Sequence, residues 1–176
     1  MSIDHYNRRL VIMRHGKSDW DSAPVDFDRP LAERGRRDAP RIARALLDLK
    51  LQPDVIISSP AKRARQTAKA VQRVFRDCES SRSKLVFDDR IYAADLNALL
   101  DVLADIPSVP VALLVGHNPG LESLLYMLAH GHMVGLNVDK LMPTAATACL
   151  EMPDDWTALS RGSAKLMAHL LAKELG

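Results

Sequence analysis

LVIMRHGKSDW, residues 10–20, is the stretch on which the fold turns. Leu10 to Met13 is a run of four apolar residues without the alternation of a half-exposed strand, so it reads as a strand buried on both faces. It stops at Arg14-His15-Gly16, where a guanidinium, an imidazole and a glycine follow in turn. The same sequence of events recurs further along the chain. Val55-Ile56-Ile57 runs into SSPAKRARQT (residues 58–67), and the apolar residues 109–115 run into GHNPG (residues 116–120). Residues 84–87 and 144–152 are weaker strand candidates. Between the strands lie helical patterns. Over residues 38–50, Ala39, Ile42, Ala43, Leu46 and Leu47 share one face. Pro40 suits the first turn of that helix and kinks it if the helix begins near Ala32. Ser59-Pro60 reads as the start of a helix to about residue 75. Asp95 caps one through Leu103, Pro119 opens one to about His130, and residues 163–175 form the last. Strands alternating with helices predict an α/β three-layer sandwich, with a mostly parallel central sheet and helices on both faces. Ligands of such sheets sit at the carboxyl ends of the strands.

The composition agrees. At 176 residues, 47% hydrophobic and 26% charged, the chain matches globular averages and reads as one domain, residues 1–176. That excludes disorder, collagen and coiled coil. The 24 basic against 22 acidic residues leave a net charge of +2, too mild for a general nucleic-acid or membrane binder. Cys78 and Cys149 belong to no CxxC pair and read as reduced structural thiols. The start, MSIDHYNRRL, has no signal-like apolar stretch, and no run approaches the length of a membrane helix. A soluble, cytoplasmic protein is expected.

At the three strand ends stand Arg14, His15, Arg63 and His117, with Gly16, Gly116 and Gly120 allowing close backbone approach. A phosphoryl group needs donors of matching geometry, and a guanidinium fork supplies them in pairs. Backbone N–H groups at a helix start favour an anion at the same place. A neutral imidazole is a competent nucleophile toward phosphorus near pH 7, and a second can donate to a non-bridging oxygen. Each motif alone is weak; the three in this order, each after a strand, are specific.

RHG, SSPxxRxxQT and GHNPG together resemble the histidine phosphatase superfamily, of phosphoglycerate mutase-like fold, along residues 10–171. RHGKSDW, DFDRPLAERG (residues 26–35) and the short length are similar to its SixA-like phosphohistidine phosphatases. The resemblance implies that His15 is transiently phosphorylated while Arg14, Arg63 and His117 hold the phosphoryl oxygens, with no metal and no organic cofactor. Larger members carry a general-acid glutamate after the third strand; here Asp89-Arg90-Ile91-Tyr92-Ala93 stands at that place. Asp89 is therefore the tentative general acid, or a charged loop residue, the reading favoured. The acid phosphatase branch has His-Asp where this chain has His117-Asn118. Asp21 replaces an asparagine that touches phosphate in the mutases, and has to turn away from a dianion. Ala32 replaces a threonine and removes a helix cap.

A weak or missing acid matters for the substrate. An alkoxide leaving group needs a proton in the transition state, worth about 10²–10⁴-fold, whereas an imidazole leaves with less help. The expectation is a phosphatase acting on phosphohistidine in a phosphorelay-type protein. The alternatives are a small-molecule phosphomonoesterase with Asp89 as acid, and a catalytically weak protein that binds phosphorylated ligands. Lys17, Lys62 and Arg65 read as solvated residues near the pocket mouth that help draw in an anionic partner. His130-Gly131-His132 reads as a polar loop rather than a metal site, and His5 and His169 as ordinary. Met127, Met133, Met142 and Met167 read as core.

Overall fold

Val11 and Met13 point to one face of the central sheet while Leu10 and Ile12 point to the other, and all four are buried. That is why the run shows no alternation. The computed structural model describes residues 7–23, 25–79 and 82–176, so His5 and most of the N-terminal stretch read above lie outside it. Among the described residues six strands form one sheet, β1 (Arg8–Arg14), β2 (Val55–Ser58), β3 (Lys84–Phe87), β4 (Val111–Gly116), β5 (Thr147–Met152) and β6 (Lys165–Leu170). Their spatial order is β3-β2-β4-β1-β5-β6. The first four strands in that order are parallel, and β5 and β6 continue antiparallel. Helices α1 (Glu33–Asp48) and α2 (Lys62–Glu79) cover the face of Val11 and Met13. Helices α3 (Leu96–Ala104) and α4 (Gly120–Leu128) cover the face of Leu10 and Ile12. This is the expected three-layer α/β sandwich with a mostly parallel central sheet and helices on both faces. No helix among the described residues is long and apolar enough to cross a membrane.

Parallel register brings the strand ends together. Arg14 pairs with Gly116 and Ser58 with Val115, so the residues after β1, β4 and β2 emerge side by side at one edge. α1 begins at Glu33, earlier than residue 38, and holds Pro40 in its interior. Its N-cap, Ala32, makes no side-chain cap. Asp95 caps α3 as expected, its carboxylate accepting from the Ala98 N–H at 2.9 Å. α2 starts at Lys62, and the Ser59 hydroxyl accepts the Ala61 N–H at 3.3 Å in the turn before it.

The final helix expected over residues 163–175 is instead strand β6 followed by a 3-10 turn at Ala172–Glu174. Ala, Leu, Lys and Glu favour helix locally, but the open edge of β5 offers a ladder of hydrogen bonds that this segment takes up. A bulge opposite Cys149 and Leu150 disrupts the two-residue period. Met167 stands in it and is 44% exposed, not core, while Met142 is buried and Met127 and Met133 are partly so. His169 consequently lies on a strand, beside the Leu141 carbonyl at 2.6 Å.

The loop after β1 is clamped against α1 by the close approach of two glycines. A Cβ on Gly35 would lie 2.3 Å from the Lys17 carbonyl oxygen, and one on Gly16 would lie 3.0 Å from the Gly35 Cα. Backbone cannot yield as a flexible side chain does. Gly35→Ala is expected to cost about 1–3 kcal/mol, read as a lower urea midpoint at unchanged m-value; an unchanged midpoint would contradict this packing.

Candidate active site

Each strand end contributes one group to a cleft of about 240 Å³ lined by Arg14, His15, Arg63 and His117 among others. His15 follows β1 and is 6% exposed. Its Nδ1 lies 2.8 Å from the Gly16 carbonyl. A carbonyl only accepts, so Nδ1 carries the proton and Nε2 keeps its lone pair. That lone pair meets Arg63, whose Nε donates to it at 3.3 Å. His117 follows β4, its ring 5.1 Å from that of His15. Its Nδ1 accepts from Arg63 Nη2 at 3.4 Å. The proton is therefore on Nε2, which donates to the Ser59 hydroxyl at 2.7 Å.

The motif after β2 explains itself in the helix. Arg63 reaches into the cleft from the first turn of α2, and Gln66 and Thr67 sit one turn on. The Gln66 side-chain carbonyl accepts from the Leu31 N–H at 2.7 Å. The Thr67 hydroxyl accepts from the Gly16 N–H at 3.0 Å while donating to the Arg63 carbonyl at 2.8 Å. The same turn that supplies the guanidinium thus holds the loop carrying His15. Arg14 donates from Nη1 to the Met142 carbonyl at 3.0 Å, and its buried Nε has no partner among the described residues. Asn118 anchors the same segment, donating to the Met142 carbonyl and to Glu122 Oε1.

All four expected residues converge. Asp89 does not join them: it is exposed in the 3-10 turn after β3 and lines none of this cleft. Asp21 is exposed and does not line this cleft, its backbone N–H donating to Asp19 Oδ1 at 2.9 Å. Lys17 stands at the rim, and Lys62 and Arg65 face solvent. His130 meets Arg161 and Tyr126, and no group of three or more potential metal-ligating side chains occurs among the described residues.

The carboxylate the cluster does contain is Asp26, which sequence reasoning passed over. Arg63 Nη2 donates to Asp26 Oδ2 at 3.0 Å, and Arg63 Nη1 donates to the Asp26 carbonyl at 2.7 Å. The Tyr92 hydroxyl donates to the same Oδ2 at 2.9 Å, and Arg29 donates to Oδ1 at 2.8 and 3.1 Å. The i,i+3 spacing of Asp26 and Arg29 is the one trace of this pairing in the sequence. Tyr92 and Ser59 left no such sign.

The charges follow from this environment. Burial comes first in pulling the His15 pKa down to about 3; the Gly16 carbonyl opposes it, and His117, Arg63 and Arg14 reinforce it. His117 is pulled down to about 4, again by burial first and then by Arg63. For Asp26 partial burial pushes upward, but hydrogen bonds from Tyr92, Arg29 and Arg63 outweigh it and hold the carboxyl at about 2. At neutral pH the site therefore holds two neutral imidazoles and an ionised carboxylate. Burial also pushes the Cys149 thiol up to about 12, and both Cys149 and the exposed Cys78 are free thiols.

The histidine phosphatase superfamily (branch 1) model matches residues 10–84. An uncharacterised Mycobacterium tuberculosis protein is 30% identical over 161 residues, 88% of this chain and 96% of that one. An uncharacterised chloroplastic protein of Arabidopsis thaliana is 32% identical over 130 residues, 70% of this chain; the match spans 60% of the plant protein's length. The crystal structure of a candidate phosphohistidine phosphatase SixA from Agrobacterium tumefaciens superposes with a TM-score of 0.78 at 32% identity, covering 93% of this chain and 97% of that one. A protein histidine phosphatase SixA complexed with tungstate has the same fold, with a TM-score of 0.76 at 23% identity over 96% of this chain and 99% of that one. The fold thus finds its counterpart, and this chain belongs to the histidine phosphatase superfamily. Within it the chain is SixA-like.

Depressed histidine pKa values tie stability to pH. Unfolding returns both imidazoles to about 6.5, so below that value the unfolded state binds more protons than the folded one. The contribution of the two imidazoles to stability is thus fully present well above pH 6.5 and falls as pH drops toward about 4 and then 3. In NMR titrations the His15 and His117 ring protons are expected to stay unshifted from about pH 5.5 to about pH 8; a midpoint inside that range would contradict the neutral pair.

Proposed function

We propose that this chain is a phosphatase that works through a phospho-His15 intermediate and releases phosphate from phosphohistidine in a protein. The observation that carries the reading is the His15 ring itself: neutral, buried and fixed by Gly16, with the Nε2 lone pair aimed at Arg63. On this reading residues 1–176 act as one catalytic domain, in the cytoplasm and in a phosphorelay-type role. The free thiols of Cys78 and Cys149 suit that compartment.

In the first step His15 Nε2 attacks phosphorus in line with the substrate's P–N bond. That bond breaks, its electron pair stays on the leaving imidazole nitrogen, and the imidazole takes a proton from solvent. Arg14 and Arg63 hold the phosphoryl oxygens. For His117 to donate as well, its Nδ1 must hold the proton. The Ser59 hydroxyl permits this by turning to donate to Nε2, since a hydroxyl serves as donor or acceptor. In the second step water attacks phospho-His15, the P–Nε2 bond breaks, and its pair returns to the ring while the water proton leaves. No step calls for a metal.

Leaving-group chemistry favours phosphohistidine over a phosphate ester. The carboxylate that touches the cluster, Asp26, is held ionised and has no proton to offer an alkoxide. Asp89 lies outside the cleft lining, so the phosphomonoesterase reading built on it finds no support in the geometry. A neighbouring cleft of about 440 Å³ shares His117 and Asn118 with the phosphoryl site.

The purified protein is expected to hydrolyse a phosphohistidine peptide faster than a sugar phosphate, unaffected by EDTA. Folded His15→Ala should lose both activities, and turnover retained in that variant would sink the mechanism. Asp89→Asn is expected to change neither rate. Asp26→Asn frees Arg63 from a competing anion, so inhibition by inorganic phosphate should tighten several-fold while phosphohistidine turnover persists. Turnover of the sugar phosphate lost while that of phosphohistidine persists would instead make Asp26 a proton donor and overturn the leaving-group argument.

A further inference from the structure

Trp20 is 68% exposed at the rim of the phosphoryl cleft, an unusual place for the largest apolar side chain. Its ring is nevertheless held. The Arg29 guanidinium carbon stacks 3.6 Å from the ring centroid, and Arg29 is itself only 6% exposed. Ser18 Oγ accepts from Arg29 Nη1 at 2.7 Å and Asp26 Oδ1 accepts from its other nitrogens, so the guanidinium is fixed on its polar edge. One face of the indole is thus fastened to an immobile cation while the ring stays mostly open to solvent. Fastening costs the ring its mobility in advance, so a planar partner stacking there loses little further entropy.

Its position relative to the chemistry follows from a chain of contacts. Arg63 donates to one oxygen of Asp26 at 3.0 Å, Arg29 donates to the other at 2.8 Å, and the indole covers Arg29. One carboxylate and one guanidinium separate the ring from the group that holds the phosphoryl oxygens. Trp20 lines the same cleft as Arg14, His15, Arg63 and His117, so a planar group bonded to a phosphorus held there shares that cleft with the indole. We infer that Trp20 is a stacking platform for the leaving imidazole ring of the substrate, and so a specificity-determining residue for aromatic P–N substrates. The inference rests on the phosphatase reading above and names the part of the site that recognises the ring rather than the phosphoryl group.

Phosphoramidate carries the same P–N bond with no ring, which separates the two roles. For a phosphohistidine peptide, Trp20→Ala is expected to raise KM about 5- to 20-fold at nearly unchanged kcat. Its kinetics with phosphoramidate should stay unchanged, and Trp20→Phe should recover most of the KM. Equal losses with both substrates would reduce Trp20 to a prop for Arg29, and no loss with either would remove it from the site; both results overturn the inference. A binding readout stands apart from turnover. Trp156, the other tryptophan, is buried beneath Arg8, with its indole N–H on the Pro153 carbonyl. In His15→Ala the emission change on adding phosphohistidine peptide, absent with phosphoramidate, should therefore come from Trp20. If the unaltered protein hydrolyses neither compound, the phosphatase reading falls. The emission change, present or absent, still decides the platform.

Discussion

Arg63 is a guanidinium, 5% exposed, at the first turn of a helix, and a charge so placed has to be matched. Asp26 matches it twice, once through its carboxylate and once through its backbone carbonyl. Much of the site's arrangement follows from that contact. To bring Asp26 there, the loop between β1 and α1 folds back across the carboxyl ends of the strands, with Leu31 and Gly16 tied to the same helical turn. The loop brings Arg29 and Trp20 with it. Arg63 also faces both imidazoles, and because it can only donate, each must present a lone pair to it.

Neutral histidines are thus a consequence of how the cleft is built. Burial alone disfavours the imidazolium, and three neighbouring groups that are or can become cationic disfavour it further. Those same groups make the cleft receptive to a phosphoryl dianion, so one arrangement both frees the nucleophile and attracts its target. The ionised carboxylate tempers this by occupying part of the Arg63 fork, an anion that an incoming phosphoryl group has to displace or share with.

The legible parts of the chain were those in which local composition and tertiary role coincide. Buried parallel strands must be apolar on both faces, so β1, β2 and β4 announced themselves. The residues just after them carry the chemistry because carboxyl ends of parallel strands are where an α/β sheet exposes its loops. Where a segment's role depends on a distant partner, the reading went astray. Residues 165–170 have the composition of a helix, yet they form an edge strand because β5 offers its hydrogen bonds. Asp89, favoured from the sequence as a charged loop residue over a general acid, is indeed exposed in the 3-10 turn after β3, but nothing local pointed to the carboxylate that does reach the site. Asp26 took the contact instead, across 37 positions of sequence that no local pattern reports.

By itself the sequence determined the layered α/β architecture and the four groups Arg14, His15, Arg63 and His117, because hydrophobic period and residue type act locally. Only the tertiary structure decided which nitrogen of each imidazole holds the proton, which carboxylate attends the cluster, and where the indole of Trp20 is fastened. These depend on the direction of single donors and acceptors a few ångströms apart, contributed by segments far apart in the chain. Such directions exist only once the β1–β4–β2 register has brought those segments to one edge of the sheet.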